Sequence, residues 1–466
     1  MTYAQFLDTK RQHNTGHGFD PTDLPSHLFP FQRDLTQWAI QQGRAAIFAD
    51  CGMGKTPMEL AWAQSVHEHT GKPVLLLTPL AVGFQIVTEA NKFGHDAAIT
   101  RNGRPVAPIT VTNYEQAAKL DPHDYGGVVC DESSALKSFE GTTRAIVTEL
   151  MRVLPYRLLG TATAAPNDYL ELGTSSEALG ELGYMDMLGR FFVNDNRTST
   201  HRPAGTKGGN TIQRGTMAQY RFKGHAETPF WQWVASWARA IRKPSDYGYP
   251  DDGFHLPSLT ERTHLIEASR PRDGTLFDVP AVGLSEEREE LRRTLTERCE
   301  KAAHLLDNAT AAVAWCHLND ESSLLAKLIP GAVELTGSDT PDEKESKLIA
   351  FSRGQIRVLV TKPVIGAWGL NWQHAHHMTY FPSHSYEQYY QAVRRMWRFG
   401  QHHDVTVDVV TTRGGQNTLR NLHRKSRAAD AMFTALIAHM NRAVTIQRRH
   451  DYTDRIEVPA WLSSGN

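Results

Sequence analysis

Eight consecutive residues near the start of the chain have the types and spacing that binding of a nucleotide phosphate requires. They occupy positions 49–56, read Ala-Asp-Cys-Gly-Met-Gly-Lys-Thr, and we call them the phosphate loop. An apolar run at 45–48 precedes them, and a helical pattern opens at Pro57. The alternative is a glycine-rich turn that merely contains a lysine, but the order of strand, loop and helix favours ATP or GTP as a ligand.

The residues of the phosphate loop supply different contacts. Gly52 and Gly54 let backbone N–H groups curl around phosphate oxygens. Lys55 adds a positive charge, and the Thr56 hydroxyl can reach a magnesium ion that the nucleotide holds. The expected ligands are therefore a nucleoside triphosphate and Mg²⁺.

Two acidic residues follow an apolar strand downstream of this loop. Asp131 and Glu132 come directly after the run Val128-Val129-Cys130. At the carboxyl end of a parallel strand, Asp131 can hold magnesium through water, and Glu132 can orient and deprotonate an attacking water. An acidic pair that simply faces solvent is the alternative, and the position after a strand argues against it.

Hydrolysis also requires cations on the phosphate as charge develops. The segment 391–401 reads Gln-Ala-Val-Arg-Arg-Met-Trp-Arg-Phe-Gly-Gln, and its Arg395 and Arg398 are three residues apart. This spacing predicts that both lie on one helical face and reach across a cleft toward one γ-phosphate. A solvated basic helix is the alternative.

Short apolar runs in the first half predict the elements that position these residues. They lie at 74–78, 109–112, 128–130 and 157–160, and helical stretches separate several of them. Such runs are typical of strands buried in a parallel sheet, so we predict a doubly wound α/β domain. Its ligands are expected at the carboxyl ends of the strands.

A second α/β series begins near residue 284. We predict a helix from 285 to about 307, helices after 320 and from about 342 to 351, and a helical tail from 413. The predicted strands of this series lie at 311–315, 333–335, 357–360, 378–381 and 405–410. The cations of the tail are expected on a solvated face.

Between the two series lies a basic and aromatic segment, residues 197–243. It contains one acidic residue, Glu227, against nine cations, which are Arg197, Arg202, Lys207, Arg214, Arg221, Lys223, Arg239, Arg242 and Lys243. Six rings are interleaved with them: Tyr220, Phe222, Phe230, Trp231, Trp233 and Trp237. Cations for phosphates and rings for bases are typical of a nucleic-acid track. The alternative is an inserted helix whose tryptophans belong to the core.

Composition excludes several broad classes. At 466 residues, with 40% hydrophobic and 22% charged residues, the chain is expected to form two or three globular domains. The net charge of −1 means that any basic surface must be local. Four cysteines without a Cys-x-x-Cys pair indicate reduced thiols, and the histidine pairs 376–377 and 402–403 lack zinc-ligand spacing. No signal peptide or membrane span is evident, so we expect a cytoplasmic protein.

Taken together, these motifs resemble those of superfamily-2 helicase-like ATPases, and most of all the Snf family of DNA translocases, which includes chromatin remodellers. The resemblance covers residues 28 to 412 except much of the basic segment. It is carried by Gln32 with Trp38, the phosphate loop, Asp131-Glu132-Ser133-Ser134, Gly160-Thr-Ala-Thr163, Gly366-Ala-Trp-Gly-Leu-Asn371 and the segment 391–401. Departures are Ser133-Ser134 in the acidic motif, and Ala367 and Arg394 where glycines are common in the family.

The resemblance implies a role for each matched residue. Gln32 would read adenine, Gly52, Gly54, Lys55 and Thr56 would bind phosphate and Mg²⁺, and Gly369 would also contact the nucleotide. Asp131 and Glu132 would serve metal and water, and Arg395 and Arg398 would act as arginine fingers. Thr161, Thr163 and Asn371 would couple the nucleotide to the nucleic acid, with Arg214, Arg221 and Lys223 of the basic segment as further contacts.

The fold expected from this resemblance is two RecA-like lobes. We predict an N-terminal extension at 1–27, lobe one at 28–180, a basic, partly helical insertion at 181–254, lobe two at 255–412 and a basic tail at 413–466. The expected activity is ATP hydrolysis coupled to movement on DNA. A nucleotide-gated clamp without directed motion and a strand-separating helicase on DNA or RNA are the alternatives.

The resemblance also implies a set of partners. Double-stranded DNA is the expected track, since the Snf-like group generally moves without separating strands. A nuclease or a replication or repair protein is a possible second partner, no membrane is involved, and the free chain is expected to be a monomer in a bacterial or phage-infected cell.

Overall fold

Two parallel sheets dominate the structure, a computed structural model that describes residues 17–137, 141–165, 168–194, 220–268, 283–366 and 371–449. We number strands and helices in chain order. Arg214 and Gly369, together with residue 367 and much of the basic segment, lie outside the described residues.

The first sheet has seven strands. They are β1 (Arg44–Ala49), β2 (Val74–Thr78), β3 (Ala97–Ile99), β4 (Ile109–Asn113), β5 (Gly127–Asp131), β6 (Tyr156–Thr161) and β9 (Ala238–Ile241). Their order across the sheet is β3–β4–β2–β5–β6–β1–β9, and every neighbouring pair is parallel. The strands predicted from the apolar runs of the first half are confirmed, because a parallel strand buried on both faces has a nearly continuous apolar sequence.

Helices cover both faces of this sheet. They are α1 (Pro30–Gln42), α2 (Lys55–Thr70), α3 (Gly83–Lys92), α4 (Thr142–Val153), α5 (Leu172–Leu179), α6 (Tyr184–Phe191) and α7 (Glu227–Trp237). Helix α1 begins with a proline, whose fixed φ suits a first helical turn, and ends at Gly43 with φ of 68°. Separate apolar clusters fill the two faces, around Trp62 on one side and around Trp237 on the other.

The second sheet has six strands. They are β10 (Leu259–Ile266), β11 (Ala312–Trp315), β12 (Ala332–Leu335), β13 (Val358–Thr361), β14 (His377–Tyr380) and β15 (Val405–Thr412). Their order is β10–β15–β14–β11–β13–β12, again with parallel neighbours. The prediction of two doubly wound lobes is therefore confirmed.

The second sheet is covered by α8 (Leu284–Arg293), α9 (Leu295–Leu305), α10 (Asn319–Leu328), α11 (Pro341–Ser352), α12 (Pro363–Gly366) and α13 (Tyr386–Arg394). The helix predicted from 285 to about 307 is interrupted at Thr294. The Thr294 hydroxyl donates to the Glu290 carbonyl at 2.7 Å, a competing local bond that ends one helix and begins the next.

The segment predicted as an insertion contributes to the first lobe. Strands β7 (Phe192–Asn194) and β8 (Tyr220–Phe222) form an antiparallel pair, and β9 pairs with β1 at the edge of the first sheet. Helices α6 and α7 pack into the same core. The boundary predicted at residues 180 and 181 therefore does not follow the sheet, because the chain returns to lobe one before it enters lobe two.

The aromatic residues of the basic segment are core residues. Phe230 and Trp237 are fully buried, and Trp231 and Trp233 are at most 6% exposed. Tyr220 and Phe222 pack against them. Their proposed role in stacking on nucleic-acid bases is wrong for the four buried rings, because helix α7 lies inside the core of lobe one.

The last helix joins the two lobes. Helix α14 (Gln416–Arg449) spans about 50 Å at the usual rise per residue. Its Leu419 and Leu422 belong to the core of lobe two, whereas Phe433 and Leu436 belong to the core of lobe one. The described part of the predicted tail is thus a structural connection, and its helix is not solvated on every face. No described helix combines the length and apolarity that a membrane crossing requires.

Candidate nucleotide site between the two lobes

The sheet order brings the predicted site residues of lobe one together. Strand β6 lies between β1 and β5, so three neighbouring strands end at one edge. The phosphate loop follows β1, Asp131 ends β5 and Thr161 ends β6. The expected cluster at the carboxyl ends of parallel strands therefore has a structural basis.

The two predicted glycines of the phosphate loop occupy positions that a larger residue would not fit. Gly52 and Gly54 have φ of 93° and 76°, in the region that residues with a Cβ rarely adopt. A Cβ at Gly54 would approach the Gln32 Nε2 at 2.2 Å, and one at Gly52 would approach the Phe399 backbone nitrogen at 2.8 Å. The loop is thus packed between helix α1 below and lobe two across the cleft.

Lys55 and Glu132 form a buried ion pair. The Lys55 Nζ lies 2.6 Å from the Glu132 Oε1, and the Thr161 hydroxyl donates to the Glu132 Oε2 at 3.2 Å. Burial alone would lower the pKa of Lys55, but Glu132 and Asp131 raise it above its ordinary value. Glu132 itself has φ of 52°, an uncommon backbone conformation for a residue other than glycine. One carboxylate, next to the end of β5, therefore connects the start of helix α2 with the end of β6.

Asp131 is held in place by the neighbouring strands. Its Oδ2 accepts from the Thr78 hydroxyl at 3.0 Å, and its backbone carbonyl accepts from the Tyr114 hydroxyl at 2.7 Å. Burial raises the pKa of Asp131, and Lys55 opposes that rise. Thr56, the other predicted metal ligand, is the second residue of helix α2.

Glu59 is a buried acid that the sequence analysis did not include. It is 1% exposed, and neither carboxyl oxygen has a hydrogen-bond partner among the described residues. A Cβ at Gly160 would approach the Glu59 Oε1 at 1.8 Å, so the glycine leaves room for the carboxyl group. Burial and the neighbouring Asp131 raise its pKa well above the ordinary value. Its position one helical turn after Lys55 is the sequence feature that could have identified Glu59 as a site residue.

Gln32 lies against the phosphate loop. Its Nε2 donates to the Met53 carbonyl at 2.9 Å, and its Oε1 accepts from the Phe29 backbone N–H at 3.0 Å. The side chain is 4% exposed. The structure thus places Gln32 beside the loop, and its predicted contact with adenine stays a prediction.

The two predicted finger arginines lie in a turn. Helix α13 ends at Arg394, so the expectation that Arg395 and Arg398 share a helical face is wrong. In the turn that follows α13, the Met396 carbonyl accepts from the Arg398 backbone N–H at 3.1 Å and from the Gln401 Nε2 at 3.2 Å.

Both arginines are nevertheless near the acids of lobe one. Arg395 is 4% exposed, and burial together with Arg398 lowers its pKa to about 10. Arg395 also interacts electrostatically with Glu132 and Asp131, and Arg398 with Cys51 and Glu132. The Arg398 Nε is buried without a hydrogen-bond partner in the described part of the chain. The cleft therefore contains a half-buried guanidinium that lacks a full set of acceptors.

Contacts across the cleft include residues that the sequence analysis did not assign to the site. The Arg394 Nη2 donates to the Asp50 Oδ2 at 2.5 Å, and the Tyr390 hydroxyl donates to the Asp50 Oδ1. Lys137 of lobe one also pairs with Glu387 of helix α13. Arg394 had been noted only as a departure from glycine, and Asp50 as a member of the loop; their separation of 344 positions hides the contact.

Thr163 of lobe one faces the space between the lobes, and Asn371 belongs to lobe two. The Thr163 backbone N–H donates to the Thr161 hydroxyl at 3.0 Å, and Thr163 lines a cavity of about 370 Å³ together with Asp50 and Arg394. The Asn371 Oδ1 is buried without a partner among the described residues. The next residue, Trp372, donates its backbone N–H to the Arg395 carbonyl at 2.9 Å.

The two described cations predicted to contact DNA lie elsewhere. Arg221 and Lys223 are exposed residues at strand β8, and the Lys223 ammonium donates to the Gly189 carbonyl. The structure does not bring them to the nucleotide site. Their contact with nucleic acid stays a prediction, as does that of Arg214, which lies outside the described residues.

The residues at this edge fit a magnesium nucleotide. Lobe one places three carboxyl groups, those of Glu59, Asp131 and Glu132, around one ammonium group, that of Lys55. Within the described ranges, no three His, Cys, Asp or Glu side chains are arranged to hold a metal ion by themselves. Mg²⁺ typically keeps waters and binds one or two carboxylates together with phosphate oxygens, which suits Asp131 and Thr56.

Comparisons with known proteins bear on the fold. No family model matches the chain, and no curated protein matches it. A solved structure of the DUF1998 helicase MrfA bound to DNA is similar at a TM-score of 0.51 and 13% identity, over 83% of this chain and 49% of that one. The Sulfolobus solfataricus SWI2/SNF2 ATPase core in complex with dsDNA aligns at a TM-score of 0.41 and 15% identity, over 84% and 90%.

At this level of identity, the likeness to MrfA shows a shared fold, and this chain spans about half the length of MrfA. With its seven-stranded and six-stranded parallel sheets, the chain has two RecA-like lobes, a fold that it shares with MrfA.

Proposed function

We propose that this chain is a DNA-dependent ATPase of the Snf-like translocase type, which hydrolyses ATP to ADP and phosphate while moving on double-stranded DNA. The observation that carries the proposal is the composite cleft. Lobe one supplies the phosphate loop, Asp131 and Glu132, and lobe two supplies Arg395 and Arg398 within electrostatic reach of Glu132. Phosphoryl transfer depends mainly on such positioned charges.

Lys55 has two alternative partners in this proposal. In the structure it pairs with the Glu132 Oε1. When ATP binds, Lys55 exchanges this carboxylate for phosphate oxygens, and the Glu132 oxygen becomes available to a water molecule. Binding and activation of the base are thereby coupled through one side chain.

The chemical step uses Glu132 as the base. Water attacks the γ-phosphorus, its proton passes to Glu132, and the bond from phosphorus to the β–γ bridging oxygen breaks to release ADP. Asp131 and Thr56 would hold Mg²⁺, which neutralises phosphate charge when bound. Arg395 and Arg398 stabilise the negative charge on the transferred group.

Movement on DNA would follow from the two-lobe arrangement. Thr161 donates to Glu132 and also accepts from the Thr163 backbone N–H. A movement of the Glu132 carboxylate would therefore change the hydrogen bonds at the end of β6. Thr163 lines the cavity between the lobes, where a change in cleft closure would alter its surroundings. Alternating closure and opening of the cleft would turn each hydrolysis cycle into a step along the strand.

Steady-state ATPase assays with duplex DNA, single-stranded DNA and RNA test the proposal. We expect stimulation by duplex DNA above the other two. Glu132→Gln should retain ATP binding while hydrolysis falls by orders of magnitude, because the base is lost and the shape is kept. An equal loss of nucleotide affinity and rate would assign Glu132 a structural role instead. A chain that hydrolyses no ATP with any of the three polymers contradicts the proposal.

A nucleotide-gated clamp is the second candidate. Helix α14 packs into the cores of both lobes, which favours a limited movement of one lobe against the other. Triplex displacement separates the two functions, since only a translocase removes a distant third strand at the expense of ATP. Strand separation from a forked duplex would indicate the helicase alternative.

The nucleic-acid contacts require their own test. If Arg214, Arg221 and Lys223 bind phosphates, changing all three to Ala should weaken DNA binding for every sequence and flatten its dependence on salt, because fewer counterions are released. Basal ATPase should be retained. Unchanged affinity and salt slope would place the DNA elsewhere on the lobes.

A further inference from the structure

Asp50 is fixed in position by lobe one. It follows strand β1 directly, and its backbone N–H donates to the Ile241 carbonyl at the end of the neighbouring strand β9 at 2.9 Å. The residue is 5% exposed, and its Oδ1 also accepts from the Cys51 backbone N–H at 2.6 Å. Its carboxylate is therefore held in a fixed position at the start of the phosphate loop.

Two residues of lobe two contact the Asp50 carboxylate. Tyr390 and Arg394 are one helical turn apart on α13, so their side chains lie on the same face. The Tyr390 hydroxyl reaches one carboxylate oxygen and the Arg394 guanidinium the other. The guanidinium also stacks over the Trp397 ring, 4.4 Å from its centroid. These contacts leave Arg394 little freedom to move.

The contact is directly connected to the predicted fingers. Arg394 is the last residue of helix α13, Arg395 follows it, and Arg398 lies in the turn that comes next. The Arg394 Nη1 also donates to the Trp397 carbonyl at 3.4 Å, within that turn. A displacement of Arg394 relative to the phosphate loop would therefore displace both fingers relative to the γ-phosphate.

We propose that Asp50 is a positioning residue that holds Arg395 and Arg398 against the phosphate loop through its bonds with Arg394 and Tyr390. The role rests on the proposed ATPase function, because it concerns the geometry of hydrolysis. It differs from direct phosphate binding, since Asp50 is an anion and acts only through lobe two.

Replacement of Asp50 by Asn in the full-length chain tests this role. Asn keeps an oxygen for the Cys51 N–H and the Tyr390 hydroxyl but removes the charge that faces Arg394. We expect kcat to fall about a hundredfold, as a displacement of about 1 Å in a catalytic group can cause, with KM for ATP within about twofold of the wild-type value. Tyr390→Phe, which removes only one hydroxyl donor, should lower kcat severalfold and provides a test should Asp50→Asn fail to fold.

A double variant separates positioning from general stability. If Asp50 acts through the fingers, Asp50→Asn should change kcat little further in an Arg398→Ala background, because residues that act as a unit are not additive. Effects that multiply would overturn the proposal. Asp50→Asn combined with Arg394→Gln should recover part of kcat, since the buried arginine charge no longer lacks its partner.

Glu387→Gln is the matched control. It removes another ion pair between helix α13 and lobe one, the pair with the half-buried Lys137, at the end of the helix away from Arg395. Its kcat should stay within about twofold of the wild-type value, and an equal fall for Glu387→Gln and Asp50→Asn would overturn a specific role of Asp50. If the wild-type chain hydrolyses ATP and Arg398→Ala does not, while Asp50→Asn retains full kcat, only the positioning role is wrong. If the wild-type chain hydrolyses no ATP, the proposed function is wrong as well.

Discussion

The two lobes contain buried carboxyl groups in opposite electrostatic situations. In lobe one, Glu59, Asp131 and Glu132 surround Lys55, and burial raises the pKa of both Glu59 and Asp131. In lobe two, Asp408 is fully buried but accepts from three side chains. Lobe one thus has more buried carboxyl groups than cations to pair with them, whereas the Asp408 carboxylate of lobe two has a donor for each contact.

The geometry of the second cluster explains the difference. Arg262 is opposite Asp408 in the register of β10 and β15 and donates to both of its oxygens, at 2.7 and 2.8 Å. His264 and His377 lie on the same face at 2.8 and 2.7 Å from those oxygens. Burial alone would raise the pKa of Asp408, but hydrogen bonds from Arg262, His377 and His264 lower it to about 2.

Asp408 has its donors in place, whereas the carboxyl groups of lobe one outnumber their cations. A buried carboxylate with all its donors in place stabilises a fold, whereas a group of carboxyls with too few cations requires a ligand that brings positive charge. In lobe one, that ligand would be Mg²⁺ with a nucleotide. Substitutions in the two clusters should therefore affect different properties.

The largest effect is expected at Lys55. Lys55→Ala should abolish ATP hydrolysis, because it removes the only cation that lobe one contributes to the phosphate in this proposal, and ATPase rates measure it. Lys72→Ala, an exposed lysine after the same helix, is the control and should leave the rate unchanged. Wild-type turnover by Lys55→Ala would refute the functional interpretation of the lobe-one cluster.

The arginines of lobe two should have the next largest effect. Arg395→Ala or Arg398→Ala should lower turnover about a thousandfold, the scale known for arginine fingers, and leave nucleotide binding by lobe one largely intact. Fluorescent-nucleotide titration and ATPase rates measure the two quantities. Equal losses of affinity and rate would mean that these arginines bind ATP in the ground state. The proposal that both lobes contribute to catalysis would then be wrong.

Asp408→Asn and Asp131→Asn test the comparison directly. Asp408→Asn should lower the free energy of unfolding by about 3 kcal/mol, because it leaves the Arg262 guanidinium without an ionised partner, and should keep ATPase near wild type. Asp131→Asn should do the reverse, with activity lost and the free energy of unfolding unchanged or increased, since it removes a buried charge and its repulsion with Glu132. Urea denaturation and ATPase rates measure both; the same pattern in both variants would remove the distinction between the clusters.

The smallest effect is expected in the pH dependence of stability. The pKa of Glu59 is raised in the folded chain, so the folded state keeps a proton that the unfolded state loses above about pH 4.5, and stability falls as pH rises through that window. Glu59→Gln should remove this dependence of the free energy of unfolding on pH, which is at most about 1.4 kcal/mol per pH unit. Urea denaturation between pH 5 and pH 8 measures it, and an unchanged slope would mean that Glu59 is ionised.

Asp408 should make the free energy of unfolding depend on pH in the opposite direction. Its pKa is depressed from 3.8 to about 2, so its stabilisation is complete above pH 3.8 and is lost as pH falls toward 2. Asp408→Asn serves as the control for Glu59→Gln, because it should alter stability between pH 2 and pH 4 and leave the slope above pH 5 intact.

Local sequence predicted much of the fold and the residues of the candidate nucleotide site. The strands near 74–78 and 128–130 were recognisable because strands buried on both faces leave continuous apolar runs. The phosphate loop was recognisable because its glycines, lysine and threonine lie within eight positions. The helical face assumed for Arg395 and Arg398 was wrong, since spacing alone does not reveal that the helix ends at Arg394.

The amino-acid sequence by itself determined which residues carry charge and where buried strands lie, because both depend on residue type and short-range order. Only the tertiary structure determined that strand β9 pairs with β1 of lobe one and that the tryptophans of α7 are buried. It also determined that Asp50 forms an ion pair with Arg394. It also decided that Asp408 has three donors and Glu59 none among the described residues. These outcomes depend on contacts between residues far apart in the chain, and periodicity shows that a residue is buried without showing which residue it meets.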